Sequence, residues 1–140
     1  MFKTVLVALP LVALSAPAFA EGDLAIKAKK LDTLEIGTGD TGYGVSVPEY
    51  QLETGKSYKL TLKEVGPHGC EWSAEEFFPN TWIRQIDIGR ASLEIAGLET
   101  VDLDDDAEVT IEFVPIRPGE YDWECEGLGE QGLTGKFVVK

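Results

Sequence analysis

The 140-residue sequence is short of the side chains that most often hold metals or move protons: one histidine, His68, one methionine, Met1, and two cysteines, Cys70 and Cys125. No paired arrangement of carboxylates or histidines stands out for general acid–base work, and a Cys125/His68 pair lacks a third group to orient it. On those criteria an enzyme is not expected. Basic charge is scarce as well, with 12 Lys and Arg against 25 Asp and Glu and a net charge of −13. That sign disfavours nucleic acid and anionic lipid as partners. It fits a metal ion, a cationic periplasmic protein or a membrane transporter, or simply the solubility of an exported chain. Helical periodicity is nearly absent, and there is no internal repeat, linker or low-complexity tract.

The N-terminal apolar run is broken by Pro10 and Pro17 and falls short of the roughly 18 apolar residues that a membrane span needs. With Lys3 before it and Ala18-Phe19-Ala20 at its end, it has the form of a secretory signal peptide over residues 1–20. The expectation is therefore a periplasmic protein with one domain over residues 21–140 and no membrane span after cleavage.

Short alternating segments punctuated by glycine and proline fill the rest, as in all-β sandwiches and barrels. "DLAIKAKKLDTLEIG" offers a first strand or two. "KSYKLTLKEVG" sets Tyr58, Leu60 and Leu62 against Ser57, Lys59 and Thr61, one face buried and one solvated. "AEVTIEFVPI" places Val109, Ile111 and Phe113 inward, and "GEYDWEC" does the same with Tyr121, Trp123 and Cys125. "TWIRQIDIG" reads with Trp82, Arg84, Ile86 and Ile88 on one side. "ASLEIAG" is short and edge-like, "LDDDAE" is an acidic turn, and "GKFVVK" is a closing strand. One helical turn is expected in "SAEEFF", with Ser73 as cap and Glu76 at the capping-box position. Seven or eight strands in this length predict a two-sheet antiparallel Greek-key sandwich.

The alternation puts Cys125 at the inner end of a core-facing stripe, just before the glycine-rich loop "EGLGEQGLTG". A thiolate there could grip a soft metal ion. An even cysteine count in an oxidising compartment equally suggests a Cys70–Cys125 disulfide. Cys70 and Glu71 are adjacent in an apparent strand and face opposite ways, so only one of them can point at Cys125. His68 lies in the turn-like "VGPHG", two residues from Cys70.

The closing segment "IRPGEYDWEC…GLTGKFVV" resembles that of the cupredoxins. In blue-copper members the cysteine is followed by a histidine and then a methionine; on the commonest spacing these positions are Leu128 and Leu133 here. "CEWSAEEFF" with the PGEY-strand-Cys segment is most similar to the EfeO-type branch of periplasmic metal-uptake and copper-handling domains. The resemblance implies a transition-metal site, most readily copper and less readily iron, in metal handling or homeostasis. Cys125 and Glu71 would be its ligands, with Cys70, His68 and Glu130 as further candidates. It leaves two alternatives: an electron carrier with an atypical copper centre, and a metal-free, disulfide-bonded interaction domain.

Overall fold

Alternate burial of short apolar strands builds the whole fold. The computed structural model describes residues 27–95 and 97–140, so residues 1–20, expected to be a signal peptide, lie outside the described residues. Twelve strands follow in chain order: β1 (Lys29–Lys30), β2 (Leu34–Thr38), β3 (Gly44–Val45), β4 (Glu49–Leu52), β5 (Tyr58–Glu64), β6 (Cys70–Ser73), β7 (Thr81–Ile88), β8 (Ala91–Leu93), β9 (Thr100–Leu103), β10 (Glu108–Pro115), β11 (Gly119–Cys125) and β12 (Thr134–Val139). They form two sheets. The first runs β3-β2-β5-β10-β7-β8 with β1 also on β5, and the second runs β4-β12-β11-β6-β9.

The expected sandwich is there, and both sheets are mixed. β1 and β2 pair with β5 in parallel, and β4 pairs with β12 in parallel, while the other pairings are antiparallel. The inward faces meet in one core. Leu34, Ile36, Tyr58, Leu60, Leu62, Ile111 and Phe113 come from the first sheet, and Trp72, Trp123 and Phe137 from the second. Phe77, from the turn after β6, stacks on Phe137 at 4.3 Å and meets Phe113 edge-on at 5.4 Å, tying the two sheets together. Tyr121 anchors the turn into β11 by donating its hydroxyl to the Arg117 carbonyl at 3.0 Å.

Two local readings of the sequence change. In β7 the core residues are Ile83 and Ile86, three apart, and Trp82 and Ile88 are exposed. The β10 partner register steps from Gln85 to Ile83 between Glu112 and Phe113, so Arg84 is an extra residue and the inward phase flips there. Ser73 caps no helix. It ends β6, paired with Glu124 and Thr100, and the only helical residues nearby are a single 3-10 turn over Phe78–Asn80. The acidic turn lies where expected, with Asp106 in the left-handed region at φ 60°. β8 is indeed an exposed edge.

Candidate functional site

The inward stripe of β11 delivers Cys125 to the end of the strand, where register pairs it with Trp72 of β6. Trp72 is buried, so its face of β6 is the inner one, and Cys70, two residues earlier, shares that face. The two cysteines are joined in a disulfide with a Cα–Cα distance of 5.1 Å and a sequence separation of 55. Cys70 is 4% exposed and Cys125 fully buried. The expectation of an unpaired Cys125 sulfur at the rim is therefore corrected: the thiolate that was to hold a metal is spent in a bond. Of the two residues competing to face Cys125, Cys70 wins, because an inward Trp72 fixes the phase of the strand.

The other proposed ligands are dispersed. Glu71 is exposed on the outer face opposite Asp102, and only its carbonyl approaches the loop, accepting from the Glu126 amide at 2.9 Å. His68 is exposed; its ring stacks on Tyr43 at 4.2 Å and its Nε2 lies 3.0 Å from the Thr41 carbonyl. Glu130 is exposed in the 3-10 turn Gly129–Gln131. Leu133 is buried and Leu128 packs against the core, so apolar contacts close the loop at the two ligand positions of the resembled family. Among the described residues no three His, Cys, Asp or Glu groups come together to hold a metal ion. These side chains do not fit a cysteine-ligated copper centre.

The disulfide instead reinforces a weak joint. β6 and β9 hang from the rest of their sheet through only two register pairs, Glu124↔Ser73 and Cys125↔Trp72. The disulfide adds a covalent link between β6 and β11 at that point.

Two features were not anticipated. Glu64 continues the inward stripe of Tyr58, Leu60 and Leu62 and is only 1% exposed. One carboxylate oxygen accepts from the Gly66 amide at 2.8 Å, and the other has no partner. Burial raises its pKa above the usual carboxylate value, Asp105 adds to the rise, and the Gly66 amide and His68 oppose it. The site is tight: a Cβ on Gly37 would lie 2.5 Å from the Gly66 Cα and 2.7 Å from a Glu64 oxygen. The second feature is a concavity of about 610 Å³ beside β6, β11 and β12, lined by Ser73, Glu75, Glu76, Asp122, Glu124 and Glu126 among others.

No family profile matches this chain, and no curated protein matches it in sequence. Solved structures do match in shape. A laccase from Pediococcus acidilactici superposes with a TM-score of 0.65 at 10% identity, over 99% of this chain and 31% of that one. The McoA multicopper oxidase 2F4 variant from Aquifex aeolicus gives 0.64 at 11% identity, over 80% and 29%. A copper nitrite reductase from Nitrosomonas europaea gives 0.61 at 10% identity, over 89% and 53%. The chain thus spans between about a third and a half of the length of these neighbours. All three are named as enzymes, which corrects the expectation that excluded catalysis: the architecture is one that occurs within oxidases and reductases. At such low identity the likeness concerns architecture, and on it the chain is a two-sheet β-sandwich of the cupredoxin-like fold.

Proposed function

We propose that this chain is an exported cupredoxin-like binding domain in which a structural disulfide takes the place of a copper-binding cysteine. Its acidic surface is what meets a cationic partner. The observation that carries this reading is the Cys70–Cys125 bridge. A buried disulfide belongs to an oxidising compartment, in keeping with the signal-peptide form of residues 1–20 and a periplasmic setting. The same bridge removes the soft donor on which a copper site at Cys125 depends. The net charge of −13 favours a cationic partner by long-range attraction.

Copper handling is the second reading, favoured by the copper enzymes among the structural neighbours. It would require reduction of the bridge to free its two thiols. Iron uptake and electron transfer rest on the family resemblance alone. To separate the readings, the oxidised protein is incubated with copper, desalted, and its metal content measured with and without a thiol reductant. The disulfide reading expects no stoichiometric copper without reductant; one copper per chain retained under those conditions overturns it.

A further inference from the structure

The concavity of the second sheet is walled by Glu75 and Glu76 from the turn after β6, Asp122 and Glu124 from β11, and Glu126 from the following loop. No lysine or arginine lines it, and none of the five carboxylates takes part in the ion pairs found among the described residues. Acidic clustering alone makes no site. The floor adds a second, independent sign. Register sets Glu124 directly opposite both Ser73 and Thr134, so the three side chains share the outer face that the concavity occupies. Ser73 is only 5% exposed, and its hydroxyl has no hydrogen-bond partner. Buried hydroxyls are nearly always paired, and this one belongs to a residue that lines the concavity and finds no partner within the protein. Thr134, its neighbour across β11, is satisfied by donating to the Trp123 carbonyl at 2.8 Å.

The distribution of charge decides the kind of cation. The carboxylates line the walls without converging: no three acidic, histidine or cysteine groups among the described residues can surround one metal ion. Spaced negative groups suit a ligand with spaced positive ones. The volume lies in the range of small-molecule sites, about 300–1,000 Å³. We propose that this concavity binds a linear organic polycation of the polyamine type. Its ammonium groups pair with Glu76, Glu124 and their neighbours, and one of them donates to the Ser73 hydroxyl. Gly129 is part of the arrangement. A Cβ there would collide with the Glu124 carboxylate, so its absence lets Glu124 lie over the loop.

The site rests on the disulfide reading only in that the bridge fastens β6 to β11. The thiol count is read separately, so each idea fails visibly by itself. The test is calorimetric titration of the oxidised full chain with spermidine at about 0.15 M salt. Saturable binding of one molecule per chain is expected. Glu76→Gln and Glu124→Gln should each weaken it about tenfold, as for loss of a charge-assisted hydrogen bond. Ser73→Ala and Gly129→Ala alter no charge and should weaken it about threefold, the first by removing a hydrogen bond and the second by displacing Glu124. Asp105→Asn, in the distant acidic turn, should leave it unchanged, and circular-dichroism melts confirm that every variant folds. Absent or non-saturable binding overturns the proposal. So does an equal loss in Asp105→Asn, which would mean diffuse charge attraction, or binding of a lysine-rich peptide but not of spermidine.

Discussion

Replacing both cysteines, Cys70→Ala with Cys125→Ala, should lower the stability of the fold by about 4 kcal/mol. The magnitude follows from the 55-residue separation of the bridged positions, because a cross-link of that span removes about 14 cal/mol/K of chain entropy from the unfolded state. The bridged residues lie in the adjacent strands β6 and β11 with their Cα atoms 5.1 Å apart, a normal separation for a disulfide, so native strain should not offset the gain. Loss of two buried sulfurs adds a small packing cost on top. With a urea slope of about 1.5 kcal/mol/M, the midpoint should fall by roughly 3 M. The assay is equilibrium urea unfolding followed by tryptophan fluorescence, since Trp72 and Trp123 are both buried beside the bridge. Reduction of the native protein should reproduce the shift, and the double variant should be insensitive to reductant. A midpoint change below about 0.5 M would refute the claim that the bridge fastens β6 and β9 to their sheet.

Glu64 makes a prediction with a definite sign. Its folded-state pKa is raised by burial, so its proton is held more tightly in the native state than in the unfolded one. Below the unfolded carboxylate value, about 4.3, the group does not affect stability; as pH rises through its raised folded value, stability is lost. Glu64→Gln should therefore be more stable than the parent at pH 7 and should converge with it near pH 4, as read by thermal melts across that range. A constant difference at all pH values would contradict this. Tyr121→Phe removes the hydrogen bond to the Arg117 carbonyl and should cost about 1 kcal/mol in urea unfolding. An unchanged midpoint would show that the turn into β11 does not depend on it.

Strand alternation made most of the sandwich legible. The stripes Tyr58–Leu60–Leu62, Val109–Ile111–Phe113 and Tyr121–Trp123–Cys125 all face the core as their period-two pattern requires. β7 escaped this rule because a bulge at Arg84 leaves no compositional mark; only the β10 register reveals it. Glu64 was missed because a charged residue ends a stripe in reading by hydrophobicity, although counting by two continues to it. At the cysteines the sequence posed the right alternatives. Counting by two from Trp72 to Cys70 would have favoured the bridge, since a tryptophan in a half-buried strand belongs inside. Metal ligands were sought by analogy with a family whose fold this chain has and whose ligand residues it lacks at Leu128 and Leu133. The acidic concavity could not be read from the sequence at all, because it forms only when the turn after β6 folds beside β11 and β12, some fifty residues further on.

The central claim, that both sulfurs are engaged with each other, is tested most directly by intact mass measurement. The protein, purified without reductant, is unfolded in the presence of iodoacetamide. An unmodified chain, gaining two adducts only after reduction, is predicted; two adducts without any reductant would mean free thiols and would contradict the account.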